Sequence, residues 1–167
     1  MAAIMITSKE TFSLEHYKVE DSVGYLLSRA KTMLAKSLDV ALVEYGITHA
    51  QGSIVLMLST GKYSTAADLA RELYIDSASM TRMIDRLEKR GLILRVRRGD
   101  DRRVINLCLT SDGEGLAQRL PSIYVAVLNR NFVGFSTEEL DLLRSLLRKL
   151  LANQATVDDA ETIGKPL

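Results

Sequence analysis

Apolar residues recur at every third or fourth position along much of the chain, which is the spacing of amphipathic helices. This pattern predicts a helix over residues 22–45, which Gly46 ends. It predicts a second helix over residues 49–59, with Thr48 as its N-cap and Gly61 just beyond its end. A long helix is therefore followed by a short one.

Two further helices are predicted on either side of a tight turn. Residues 64–73 begin with two hydroxyl side chains and place small apolar residues on one face, so a short helix is expected there. After the turn, Asp76 or Ser77 can cap a fourth helix that ends at Gly91. The two short helices and the turn have the spacing of a helix-turn-helix.

The periodicity then changes from helical to extended. Residues 92–98 and 104–109 are β-rich runs that flank a polar Gly-Asp turn, so we predict a β-hairpin. A hairpin directly after a helix-turn-helix is the order of elements in a winged helix-turn-helix. The sequence therefore predicts a mainly α fold with a small β-hairpin wing (α+β), whose DNA-binding lobe spans residues 46–110.

Two Ser-x-x-Glu capping boxes predict where the last helices begin. The boxes start at Ser111 and at Ser136. Pro121 lies inside the first of these helices and is expected to kink or restart it. The helix that begins at Ser136 carries a face of leucines. The polar and acidic residues 155–167 lack periodicity, so we expect a flexible tail there.

The fourth helix, which we call the recognition helix, has two unlike faces. Its apolar face consists of Met80, Met83, Ile84 and Leu87. The other side carries Ser79, Arg82, Arg86 and Lys89. Arg82 and Arg86 can each bond a guanine edge or a phosphate. A solvated basic face is the alternative, but the neighbouring turn and hairpin favour DNA binding.

Positive charge is concentrated in residues 82–103, which we call the basic segment. The chain has a formal net charge of only +1, yet this segment has nine basic and four acidic residues, which indicates one anion-binding surface. The predicted wing contributes Arg95, Arg97, Arg98, Arg102 and Arg103. Such arginines can enter a narrow minor groove. Asp101 is expected to orient Arg103 or a recognition-helix arginine, although an ordinary exposed turn with a local ion pair would look similar.

Several segments together resemble the MarR (multiple antibiotic resistance regulator) family. The resemblance rests on residues 45–51, 68–71, 80–93 and 101–110, with Gly113. It covers about residues 23–151. The recognition-helix segment combined with the Asp-x-Arg wing is its most specific part.

The resemblance implies a single MarR-type domain over residues 1–167 that binds double-stranded DNA as a homodimer. Helices 22–45 and 111–154 would form the dimerisation region, and the operator would be a pseudo-palindrome of about 16–20 base pairs. Family members usually repress genes, and many release DNA when a small aromatic or phenolic acid binds. The candidate DNA contacts are Ser64, Ser77, Ser79, Thr81, Arg82, Arg86, Lys89, Arg97, Arg98, Asp101, Arg102 and Arg103.

Gly52 follows Gln51, at a position where many relatives carry an aromatic residue. We expect the missing ring to leave empty volume that forms part of an effector pocket. The candidate ligand-binding residues are Tyr25, Ser28, Arg29, His49 and Gly52. Arg29 would suit a carboxylate through a forked bond, although a surface histidine and a solvated arginine are the simpler interpretations.

Other functions find less support in the sequence. Neither His16 nor His49 stands in a metal-ligand spacing or beside a nucleophile motif, so we predict no catalytic residue, metal or cofactor. The single Cys108 and the lack of a long apolar run predict a cytoplasmic protein without a membrane partner. Two alternatives stay open: redox sensing through Cys108, and a winged-helix module that docks proteins, which would not need the basic segment.

Overall fold

The computed structural model describes residue 14, residues 17–97 and residues 105–163, with side chains described up to residue 153. This part of the chain contains six α-helices and one antiparallel hairpin. The elements are α1 (Val23–Leu42), α2 (His49–Ser59), α3 (Ala66–Glu72), α4 (Ser77–Lys89), β1 (Ile93–Arg97), β2 (Ile105–Leu109), α5 (Ser111–Asn131) and α6 (Thr137–Ile163). The described residues up to Leu128 form one compact unit, and those from Asn129 onward form another. The predicted mainly α architecture with a β-hairpin is confirmed.

The first two helices begin at hydroxyl caps, of which the sequence predicted Thr48 but not Ser22. The Ser22 hydroxyl accepts a bond from the Tyr25 amide at 3.3 Å at the start of α1. Thr48 and Gln51 form a reciprocal capping box at the start of α2. Gly46, with φ of +61°, reverses the chain between the two helices, in a conformation that side chains with a Cβ adopt only at a cost.

The core of the first unit lies between α2 and the helices around it. Fully buried side chains come from every helix of that unit and from β1: Leu42, Ile54, Val55, Leu69, Met80, Ile84, Leu87, Ile93 and Leu120. Truncating a buried leucine or isoleucine of this kind to alanine costs about 2–5 kcal/mol. The apolar face of α4 is therefore held inward, which turns its basic face to solvent.

The hairpin pairs Ile93 with Leu109 at its base and Arg97 with Ile105 at its outer end. The amide of Leu107, on β2, also donates to the carbonyl of Ser64 at 2.7 Å. The middle of β2 is thereby attached to the segment before α3. The predicted turn, residues 99–102, lies outside the described residues.

The start of α5 differs from the prediction. Thr110, one residue before Ser111, caps the helix by accepting a bond from the Gly113 amide at 3.1 Å. A Cβ at Gly113 would collide with the Leu92 carbonyl oxygen, so the close approach of α5 to this backbone needs glycine. The helix also runs through Pro121 to Asn131 without the restart that the proline suggested.

In the second unit, the capping box at Ser136 forms as predicted. The Ser136 amide donates to Glu139 at 2.8 Å, and the Glu139 amide donates to the Ser136 hydroxyl at 3.2 Å. Helix α6 continues to Ile163, so residues 155–163 are helical although their sequence lacks an apolar periodicity. The physical reason is that no glycine or proline interrupts the segment before residue 164. No helix in the described part of the chain combines the length and apolar character needed to cross a bilayer.

Candidate nucleic-acid interface

The recognition helix is α4, and its two ends are well defined. The carboxylate of Asp76 accepts a bond from the Ser79 amide at 2.8 Å and so caps the helix. This bond, together with the nearby Arg82 charge, lowers the pKa of Asp76. Tyr74, in the preceding turn, has a positive φ of 51°, which lets the turn between α3 and α4 close tightly.

The structure places the predicted α4 contacts on the side away from the core. Ser77, Thr81, Arg82, Arg86 and Lys89 are exposed, and Ser79 is half-buried. Arg82 donates to the Ser79 hydroxyl at 2.8 Å, which holds its guanidinium beside the start of the helix. A side chain held in this way loses less freedom when it bonds to DNA.

Arg95, one of the basic residues of the predicted wing, contacts the recognition helix. It donates to Asp85 on α4 at 2.6 Å and also to Glu88. The bond with Asp85 raises the pKa of Arg95. This guanidinium is therefore used to connect β1 to α4.

Of the other predicted wing contacts, Arg97 lies exposed at the outer end of β1. Ser64 is exposed beside β2, and its carbonyl accepts a bond from the Leu107 amide in the middle of that strand. The remaining four predictions, Arg98, Asp101, Arg102 and Arg103, fall outside the described residues. The structure thus brings the α4 residues together on the side away from the core and places Ser64 beside the middle of β2.

The candidate ligand-binding residues fall into two separate groups. Tyr25, Ser28 and Arg29 lie on the first turns of α1, where Arg29 donates to the Tyr25 hydroxyl at 3.1 Å. His49 lies at the far end of α1, where its ring bonds Asp39 at 3.1 Å. Ten residues of α-helix separate Arg29 from Asp39, which is about 15 Å at 1.5 Å per residue.

Tyr124 fills the space beside Gly52 that was expected to be empty. A Cβ added at Gly52 would lie 2.8 Å from the Tyr124 hydroxyl. This hydroxyl donates to the His49 carbonyl at 3.2 Å, and burial raises the pKa of Tyr124. The expectation of an empty volume at Gly52 is therefore wrong, because an aromatic ring from α5 replaces the one that α2 lacks. Sequence reasoning missed Tyr124, and the small residue on α2 was its only signal.

Cys108 is exposed on β2. It lines an open surface cavity of about 480 Å³ between the end of α2, β2 and the first turns of α5. The described residues include no cluster of three or more histidine, cysteine, aspartate or glutamate side chains that could hold a metal ion.

Comparison with known proteins places the chain in a family. The MarR family profile matches residues 47–105. The organic hydroperoxide resistance transcriptional regulator of Bacillus subtilis is 31% identical over 137 residues, which make up 82% of this chain and 92% of that protein. Among solved structures, CouR from Rhodococcus jostii bound to p-coumaroyl-CoA superposes with a TM-score of 0.68 at 27% identity, over 80% of this chain and 94% of that one.

Bordetella bronchiseptica BpsR, studied for the regulation of its DNA binding by 6-hydroxynicotinic acid, superposes with a TM-score of 0.71. Its identity is 27%, over 80% of this chain and 96% of that one. These likenesses agree with the order of helices and the hairpin described above, and they confirm the winged-helix fold. The chain belongs to the MarR family of DNA-binding transcriptional regulators.

Proposed function

We propose that this chain is a homodimeric repressor that binds a pseudo-palindromic operator and releases it when a small aromatic or phenolic acid binds. The observation that carries the DNA-binding part is the arrangement of α4. Its apolar face is fixed in the core, while Arg82, Arg86 and Lys89 are exposed beside the β-hairpin. A helix of this kind fits the major groove, and a hairpin next to it reaches the adjacent minor groove.

In this proposal the α4 side chains divide the work of binding. Ser77 and Thr81 are short polar residues near the start of the helix, so the backbone there can approach the DNA closely. Arg82 and Arg86 read guanine edges or neutralise phosphates, and Lys89 adds a phosphate contact at the other end. Arg97 and the wing arginines outside the described residues extend the contact to the next groove.

Dimerisation is supported by apolar side chains that the described part of the chain leaves uncovered. On α1, Val23, Leu26 and Met33 are each about half exposed. On α6, the same holds for Leu142, Leu146, Leu150 and Leu151. Exposed apolar side chains that recur along two long helices favour an interface. We propose that residues 22–45 and 111–154 supply the dimerisation helices, and that residues 46–110 form the DNA-binding lobe.

The effector class is proposed from the relatives. The ligands of the two solved neighbours, p-coumaroyl-CoA and 6-hydroxynicotinic acid, both contain an aromatic ring with a polar substituent. In this chain Arg29 is the candidate partner for a carboxylate, and its guanidinium lies 5.8 Å from the Tyr25 ring centroid. An aromatic acid would compete with Tyr25 for this guanidinium.

The decisive experiment measures binding of the purified protein to the DNA upstream of its own gene across a salt series, with random DNA as control. Arg86→Ala should weaken binding and reduce the salt slope by about 0.9 for each phosphate that is no longer neutralised. Lys18→Ala is the charge-matched control, because Lys18 is exposed and precedes both α1 and the DNA-binding lobe. Equal losses of affinity in the two variants would contradict the proposed interface.

A panel of small aromatic acids added to the same complex tests the effector. If one acid releases the unsubstituted protein from DNA at concentrations that leave the Arg29→Met variant bound, that result would identify the effector class. It would also support a binding site at Arg29 on α1. If operator binding is specific but no acid releases it, the aromatic-acid part of the proposal fails while the DNA-binding part stands.

Redox sensing is the second candidate function. Its support is the exposed thiol of Cys108 and the similarity to a regulator named for organic hydroperoxide resistance. The Cys108 thiolate would attack the peroxide oxygen, giving a sulfenic acid on the protein and releasing the alcohol. Cumene hydroperoxide should then release DNA from the unsubstituted protein but not from Cys108→Ser. If cumene hydroperoxide released DNA from both proteins, or from neither, this mechanism would be excluded.

A further inference from the structure

Arg90 joins the end of the recognition helix to the turn that follows α1. It is the C-cap residue of α4 and is 44 residues from Gly46 in the sequence. One guanidinium nitrogen donates to the Tyr45 carbonyl at 2.8 Å, and the other donates to the Gly46 carbonyl. The planar fork of an arginine suits two neighbouring carbonyls, whereas a lysine ammonium would serve as a single point of attachment.

Gly46 matches this arrangement in two ways. Its φ of +61° turns the chain so that consecutive carbonyls are available to one side chain. A Cβ at this position would lie 2.9 Å from Nη2 of Arg90 and still closer to Nη1. The left-handed turn and the missing side chain are both needed for the guanidinium to reach the backbone.

The end of α4 does not need the Arg90 side chain for its own capping. The amides of Arg90, Gly91 and Leu92 already donate to carbonyls of the last turn, at 3.2, 2.8 and 3.0 Å. On the other side, Thr110 donates to the Gly91 carbonyl at 2.5 Å. The guanidinium is therefore available for the contact with the turn after α1, next to the point where α5 also begins.

We propose that the bonds from Arg90 to Tyr45 and Gly46, which we call the α1–α4 latch, set the position of the recognition helix relative to α1. Arg90 is then a positioning residue and does not bind phosphate. This inference rests on the proposed function, in which α1 belongs to the dimerisation region. Because half-sites recur about one helical turn apart, roughly 34–36 Å, a fixed angle between α1 and α4 would determine which half-site spacing the dimer accepts.

The first test needs no DNA. Spin labels at Lys31→Cys on α1 and Ser77→Cys on α4, in a Cys108→Ser background and diluted with unlabelled protein, report the distance within one chain. Arg90→Met keeps the apolar stem and removes the donors, so the distance distribution should broaden or shift. Arg90→Lys should fall between Arg90→Met and the unsubstituted protein. A distribution unchanged in Arg90→Met would overturn the latch.

The second test uses an operator that the protein selects from a random DNA pool, together with versions that carry one extra or one missing central base pair. Arg90→Met should bind the selected operator about tenfold more weakly, discriminate less between spacings, and keep the salt slope. Lys89→Met is the neighbouring control, and it should show a smaller salt slope but keep spacing discrimination. A reduced slope in Arg90→Met would make Arg90 a phosphate contact and overturn the proposal.

Thermal unfolding by circular dichroism shows whether each variant is folded at the assay temperature. If Arg90→Met is unfolded, both tests are made with Arg90→Lys instead. Distances and spacing discrimination equal to those of the unsubstituted protein would then contradict a latch that bonds both carbonyls. If the unsubstituted protein shows no preference for any DNA, the proposed function fails, while the spin-label distances still decide the latch.

Discussion

Arg95 on β1 donates to the carboxylate of Asp85 on α4 at 2.6 Å. The same guanidinium bonds Glu88, one helical turn further along α4. One wing residue thus bonds two acidic residues of the recognition helix. This pairing with α4 carboxylates distinguishes Arg95 from Arg97, which is two residues away on the same strand.

Replacing Arg95 should therefore differ from replacing Arg97. Arg95→Met removes the bonds between wing and helix and should lower the free energy of unfolding by about 1 kcal/mol, because the pair is partly exposed to solvent. It also leaves the two carboxylates unpaired beside the DNA-facing surface, so operator affinity should fall. Arg97→Met should leave stability unchanged and reduce the salt slope of DNA binding. Urea unfolding and a salt titration compare the two variants, and identical behaviour would contradict the assignment.

Gly113 and Gly115 form a matched pair on α5. A Cβ at Gly113 meets the Leu92 backbone, whereas one at Gly115 meets nothing within 4 Å. Gly113→Ala should lower the free energy of unfolding by about 3 kcal/mol, because a backbone contact must give way. Gly115→Ala should raise it by about 0.5–1 kcal/mol through helix propensity. Urea unfolding tests the opposite signs, and a stable Gly113→Ala would contradict the close contact.

The contact between Gly52 and Tyr124 predicts a non-additive pair of substitutions. Gly52→Ala should cost about 1 kcal/mol, because the added methyl group displaces the tyrosine hydroxyl. In a Tyr124→Phe background the same substitution should cost less, since the displaced oxygen is gone. A double-mutant cycle measured by urea unfolding gives the coupling energy. Additive costs would mean that the hydroxyl does not fill this space.

Asp76 should make the stability of α4 depend on pH. Because its folded pKa lies below the ordinary value of 3.8, the stabilisation is present above that value and is lost as the pH falls through the folded pKa. Asp76→Ala should therefore lower the urea midpoint at pH 7 but have little effect near pH 2. Asp76→Asn retains a capping oxygen without the titration and serves as the control. An equal effect at both pH values would argue against a charge-dependent cap.

Local structure was predictable from sequence where local interactions determine it. The capping residues Thr48 and Ser136 act within four residues of themselves, so their spacing was sufficient. The box at Ser111 was misplaced because Thr110 offers the same hydroxyl one residue earlier. The contact of Gly113 with Leu92, which depends on tertiary packing, fixes where α5 begins.

The candidate site was predictable only in part, because some of its contacts depend on tertiary packing. The exposed face of α4 follows from helical periodicity, since its apolar residues must be buried. Nothing in the local sequence distinguishes Arg95 from Arg97, because the difference depends on proximity to α4. Tyr124 reaches Gly52 from a distant helix, so a missing aromatic ring on α2 did not indicate an empty space.

The bond from the Leu107 amide to the Ser64 carbonyl has a consequence for solubility. A two-stranded hairpin has two edges, and unpaired backbone groups at an edge can recruit a strand from another molecule. Here the segment before α3 occupies the β2 edge at the middle of the strand. That portion of the edge is closed to strand addition, which protects a DNA-binding protein from aggregating through its wing when no operator is bound.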